Sequence, residues 1–239
     1  MEVSMIISGL QKMTLLDYPG KVACTVFLQS CNFRCPFCHN SDLLCGSAQH
    51  PISEESFLAF LSKRRGLLDA VCVSGGEPTL QSDLPKLLAD IRALGYCVKL
   101  DTNGSRPDML ARLLSGNLVD YVAMDVKNSP DRYAETCGTA EMNLSSIEES
   151  LRLLISGSTP YELRTTVCAQ LHDAASIRRM GEWLAGIAGG RAVSALYIQP
   201  FVNRDSVLTG GLSAPDAITL QEFMTILRPY VQHVSLRGE

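Results

Sequence analysis

The sequence lacks any run of about 18 or more apolar residues, the length at which a segment becomes a candidate for crossing a membrane. It also lacks a basic surplus: Lys and Arg total 21 against 25 Asp and Glu, a net charge of -4. A general nucleic-acid binder needs a basic face for its phosphate contacts, so that class is disfavoured, while a small anionic ligand is not excluded. The first residues, Met1-Glu2-Val3-Ser4-Met5, show neither the basic start nor the apolar stretch of a signal peptide, and the expected location is the cytoplasm. No Pro-, Gly- or Ser-rich linker divides the 239 residues and no internal repeat is visible, which points to one domain. A hydrophobic fraction of 46% against a charged fraction of 19% excludes a disordered chain.

What the chain does have is cysteine, nine in all. In a sequence without export features, clustered cysteines point to metal or redox chemistry more than to disulfides.

From about residue 21 onward, strand-like and helix-like segments alternate. Strands are expected over 21–29, 70–73, 96–100, 121–126, 161–167, 195–200 and 234–236. Helices are expected over 54–64, 84–94 with Ser82 as cap, 107–115, 146–156 opened by Ser146, 177–187 and 213–227. Such alternation builds parallel βαβ units. About six units fit the length, short of the eight of a closed barrel, so the expected fold is α/β, a partial (β/α)6 open TIM-like barrel. A doubly wound open sheet is the rival. The expected organisation is one domain over 1–239: a strand or loop over 1–20, the barrel over about 21–202, and a helix and short strand over 213–237.

Three cysteines, Cys31, Cys35 and Cys38, stand at spacing C-x3-C-x2-C directly after the first full strand. Thiolates so close repel one another unless a cation neutralises them, so a metal is implied. Chance clustering of buried cysteines is one reading. A zinc site with His39 as fourth ligand is a second. An iron–sulfur cluster is the third, and three protein ligands on four irons leave one iron open.

Other polar groups gather at strand ends. Gly75-Gly76-Glu77-Pro78 closes one strand; paired glycines permit close backbone approach to a ligand, and a carboxylate accepts from an ammonium. Asp101-Thr102-Asn103-Gly104 closes the next. Asp125-Val126-Lys127 follows, its two charges on one face. Arg164 falls mid-strand and needs a carboxylate or an anionic ligand, and Glu162 on the same face is a candidate partner. Solvated loop charge is the plain alternative for each. The C-terminal ends of parallel barrel strands are where active sites lie, and these groups share that end.

On these residues the sequence resembles the radical S-adenosylmethionine (SAM) enzymes, whose hallmark is Cys-x3-Cys-x2-Cys with an aromatic residue, here Phe37, before the last cysteine. The resemblance implies a radical SAM core and one 4Fe-4S cluster on Cys31, Cys35 and Cys38, with no catalytic residue beyond the cofactor. It implies SAM contacts from Phe37, Gly75, Gly76, Glu77, Asp125, Lys127 and Arg164, with Glu77 on the methionyl amino group and Arg164 on the carboxylate. Within the family the chain looks most like activating enzymes of glycyl radical proteins. Asp17-Tyr18-Pro19-Gly20 is similar to their Asp-Gly-Pro-Gly and Cys38-His39-Asn40 to their Cys-His-Asn. The segment from Leu15 to Asn40 most resembles the anaerobic ribonucleoside-triphosphate reductase activating proteins.

By that resemblance the partners are a glycyl radical enzyme and a flavodoxin or ferredoxin electron donor, with no nucleic acid and no membrane. Asp101, Thr102 and Asp125 match a monovalent-cation site of the pyruvate formate-lyase activase. That activase carries a His in a Pro-Tyr-His context where this chain reads Gln199-Pro200-Phe201-Val202-Asn203. Cys45, Cys72, Cys97, Cys137 and Cys168 are dispersed, so a single cluster is expected and these five read as small buried hydrophobes. Alternatives are a pyruvate formate-lyase-type activase, a radical SAM enzyme acting on a small molecule, and a structural zinc-binding protein.

Overall fold

The computed structural model describes residues 5–44, 51–140 and 142–237, so Cys45 lies outside the described residues. The chain divides into two compact units: Met1–Asn32, Asn40–Thr102 and Arg106–Ala123 in the first, and Phe33–His39, Asn103–Ser105 and Met124–Glu239 in the second.

In the first unit β1 (Ile7–Thr14) pairs antiparallel with β2 (Ala23–Leu28). Parallel pairing then joins β2 to β3 (Ala70–Gly75) and β3 to β4 (Cys97–Thr102). The crossovers carry α1 (Glu54–Lys63) and α2 (Leu84–Ala93), and α3 (Pro107–Ser115) follows β4. Leu84, Leu87, Leu88 and Ile91 of α2 are buried, the helical spacing legible in the sequence. Ser53 caps α1 by accepting from the Ser56 N–H. The expected cap of α2 is corrected by one position: Asp83 precedes the helix, without a side-chain cap, and Pro85 occupies the first turn, where its fixed φ suits a helix start.

β5 (Tyr121–Asp125) passes from the first unit to the second. There follow α4 (Tyr133–Cys137), α5 (Leu144–Ser156), β6 (Tyr161–Val167), α6 (Ala174–Ile187), β7 (Val193–Pro200), α7 (Ala217–Leu227) and β8 (Val231–Leu236). β6, β7 and β8 pair parallel in succession. Helix α5 opens at Leu144, so Ser146 lies in its first turn and is not its cap. Helix α6 starts earlier than its apolar spacing suggested because Asp173 and Ser176 form a reciprocal capping box.

Strand order in the sheet is the order of the chain, β1 to β8, and β1 and β8 are its two edges. The fold is therefore α/β with an open, mainly parallel sheet, and βα units run from β2–α1 to β7–α7. The antiparallel edge strand β1 and the short helix α4 are the elements the alternation did not announce.

Candidate active site

Within the first unit the glycines of the Gly-Gly-Glu-Pro segment serve the packing of the strands themselves. A Cβ on Gly75 would fall 2.2 Å from the Leu28 carbonyl oxygen, and one on Gly76 would fall 2.0 Å from that of Ser30. Gly75 also has φ of +130°, a conformation glycine alone adopts readily. The end of β3 thus lies flush against the end of β2, with the Gly76 N–H on Leu28 and the Glu77 N–H on Ser30. Asn40, the last residue of Cys-His-Asn, donates to the Gly75 carbonyl at 3.2 Å.

Glu77 is fully buried. Its Oε1 accepts from the Thr79 N–H at 3.0 Å, the Thr79 hydroxyl at 2.5 Å and the Thr102 hydroxyl at 2.7 Å. Charge-assisted hydrogen bonds of this kind hold a carboxylate out of water. Asp101 and Thr102 both stand at the end of β4, and Asp101 pairs with Lys99 two residues earlier on the same face. Before β2's motif, Asp17 accepts from Thr25 at 2.6 Å and Tyr18 is buried on Ala23 and Ala70, with burial pushing its hydroxyl up to about 12.

Gln29 is a residue that the sequence reasoning passed over. It ends the run into Ser30-Cys31, is only 3% exposed, and neither Nε2 nor Oε1 has a partner among the described residues. An unpaired buried amide costs about 1–3 kcal/mol. A polar group brought by a ligand would relieve that cost two residues from Cys31.

Within the second unit Asp125, at the end of β5, holds two cations. Lys127 Nζ lies 2.8 Å from Oδ2, and Arg164 Nε, mid-strand in β6 as expected, donates to Oδ1 at 3.1 Å. Burial works against the Lys127 charge, but the Asp125 carboxylate and then the Cys35 thiolate outweigh it and hold the ammonium protonated. Its Nζ also stands 5.9 Å from the centre of the Phe37 ring. Glu162, the partner considered for Arg164, accepts from Arg237 at 2.5 Å.

The loop of Cys35 and Cys38 turns tightly, with the Cys38 N–H on the Cys35 carbonyl at 3.0 Å. One dispersed cysteine needs correction. Cys137 is buried, but its thiol donates a hydrogen bond to Cys35. That bond, opposed by burial and aided by Lys127, holds the Cys35 thiol below its ordinary value. The Arg34 N–H bonds the Cys137 carbonyl at 2.8 Å, so loop and helix end are joined through the backbone as well. About a hundred residues separate the two thiols along the chain, a distance no local pattern bridges. By contrast, Cys168 is fully buried as expected of a small hydrophobe, as is Cys24 in β2, and burial pushes both thiols up to about 12.

His172 was also missed. Its Nδ1 accepts from the Cys168 N–H at 3.2 Å, so the ring's other nitrogen donates to the Lys127 carbonyl at 2.9 Å. It thereby fixes the backbone of Lys127. His39 stacks on Phe201 with ring centres 5.7 Å apart, its Nε2 2.6 Å from the Val202 carbonyl. An imidazole therefore does stand against the Gln199–Asn203 stretch, supplied by the cysteine loop.

These donors fit an iron–sulfur cluster better than zinc. Zinc gathers all its ligands within about 2.3 Å of one ion. Nε2 of His39, the residue a zinc site would take as its fourth ligand, faces the Val202 carbonyl instead. A cluster assigns each cysteine its own iron, so its ligands need not meet at one point. A thiol held low beside an ammonium suits such ligation.

The sequence matches the Radical SAM superfamily over residues 25–166, and the chain belongs to that family of enzymes. It is 30% identical over 240 residues to a protein of Methanocaldococcus jannaschii provisionally named as a glycyl-radical enzyme activating enzyme, covering 97% of this chain and 95% of that one. A pyruvate formate-lyase-activating enzyme of Clostridium pasteurianum is 32% identical over 133 residues, 52% of this chain and 53% of that one. The crystal structure of Streptococcus suis SuiB bound to precursor peptide SuiA superposes with a TM-score of 0.65 at 12% identity, over 88% of this chain and 47% of that chain, and the fold is what the two share.

Proposed function

We propose that this protein activates a glycyl radical enzyme, and that its partner is an anaerobic ribonucleoside-triphosphate reductase. The chain 1–239 then acts as a single radical SAM domain. Cys31, Cys35 and Cys38 would hold the cluster, and Gly75, Gly76, Glu77, Asp125, Lys127, Arg164 and Phe37 would surround SAM. When bound, the cluster would supply the electron for reductive cleavage of SAM, and the hydrogen atom abstracted in consequence would come from a glycine of the partner.

The chain's own part is to bind, orient and exclude water. Asp125 holds Arg164 and Lys127 in place for an anionic group. His172 fixes the Lys127 backbone, and the Glu77 hydrogen bonds fix the Gly-Gly segment. A flavodoxin or ferredoxin would return the electron.

The observation that carries the activase reading is the 97% and 95% mutual coverage with a protein provisionally named as a glycyl-radical enzyme activating enzyme, well beyond the superfamily core. Leu15 to Asn40 favours the reductase as partner. Anaerobic incubation of the reconstituted protein with the reductase and with pyruvate formate-lyase, separately, should give a glycyl doublet in electron paramagnetic resonance with the reductase only. A doublet with pyruvate formate-lyase alone would reassign the partner; none with either would reject activation.

A further inference from the structure

We propose that the Lys99 ammonium stands in for the monovalent cation that the family resemblance implies, so that this chain needs no such ion. The proposal rests on the reading of the site as one that binds SAM.

Lys99 is fully buried in β4, and its Nζ lies 2.5 Å from Asp101 Oδ1. A buried ammonium persists only where a carboxylate and further polar atoms receive it. Here the neighbouring strand is built for it as well. Cys72 of β3 is its register partner, with Sγ 3.9 Å from Nζ, and Thr25 of β2 is the next residue in that row. This is an interior lysine placed by the sheet, not a surface side chain folded inward.

The three residues assigned to the cation are each engaged otherwise. Asp101 receives the ammonium. The Thr102 hydroxyl donates to Glu77. Asp125 receives Lys127 and Arg164. A metal ion placed on the part-exposed Asp101 would face the positive charge of the buried Lys99 at short range. Lone pairs remain on Thr102 and Asp125, so it is the ammonium already seated on Asp101 that disfavours a cation there, and the lysine supplies the charge that the cation would have brought. Because it is covalently tethered, it does so at any salt composition.

The test uses cluster-loaded protein titrated with SAM, in tetramethylammonium buffer and in potassium buffer of equal ionic strength, with binding read from the change in the cluster's resonance spectrum. Wild type should bind with the same Kd in both. The Lys99→Thr variant should bind roughly tenfold more weakly without potassium and recover with it, the size usual for coupling between two sites. A potassium-dependent Kd in wild type overturns the proposal, as does a folded Lys99→Thr variant indifferent to potassium. Sodium NMR relaxation on wild type is independent of that variant: no line broadening is expected, and broadening displaced by potassium overturns the proposal. If loaded wild type binds no SAM in any buffer, the SAM reading fails, and the sodium measurement still decides whether Lys99 excludes a cation.

Discussion

The Gln29 amide is buried with both polar atoms unpaired among the described residues, so it opposes the stability of the protein by itself. Gln29→Leu should therefore raise the unfolding free energy of the cofactor-free protein by about 1 kcal/mol, read as a higher urea midpoint, while weakening cluster retention or SAM binding. A variant less stable than wild type would make Gln29 a packing residue and nothing more. His172 has the opposite status, with both ring nitrogens bonded. Burial holds its pKa below the ordinary value of about 6.5. As pH falls the unfolded chain takes up the proton first, so the stability that the neutral ring contributes is complete above about pH 6.5 and is lost toward the lower, folded-state value. The melting temperature should fall on the acid side of about pH 6.5, and less steeply in His172→Gln; equal slopes would remove His172 from the account. At this scale the sequence disclosed residues that carry a local pattern. Cys35, Glu77 and Arg164 were visible; Gln29, His172 and Cys137 were not, because what matters about them is a partner, or the want of one, brought by distant chain.

Among the elements, the ends of β2 and β3 are the most constrained. Gly76→Ala puts a Cβ 2.0 Å from the Ser30 carbonyl oxygen, a backbone atom that cannot swing aside. The expected cost is about 1–3 kcal/mol in denaturant unfolding, with Asn40 and Glu77 displaced along with the loop. An unchanged midpoint would mean that the strand ends are not packed in this way. The pair Gly75-Gly76 was readable as a place of close approach, and the backbone of β2 is one of the groups that approaches it. Apolar spacing located α2, α3 and β6 to within a residue or so, since each buries one regular face. Helix α4 escaped because five residues carry too little period to read, and the start of α6 was set by a capping box outside its apolar stripe.

For the whole molecule, the alternation of strands and helices sufficed to indicate an open α/β sheet, since parallel strands need helical crossovers. The three cysteines left zinc and an iron–sulfur cluster both open by spacing alone, and the cofactor class came with the family resemblance that the strand-end motifs share. The central claim, that Cys31, Cys35 and Cys38 hold a cluster that cleaves SAM, is tested most directly by measuring 5′-deoxyadenosine after anaerobic reduction of wild-type and Cys35→Ala protein with SAM. Wild type carrying about four irons per chain should form it, and the variant should hold less iron and form none. Equal product from both proteins, or none from fully loaded wild type, would contradict the account.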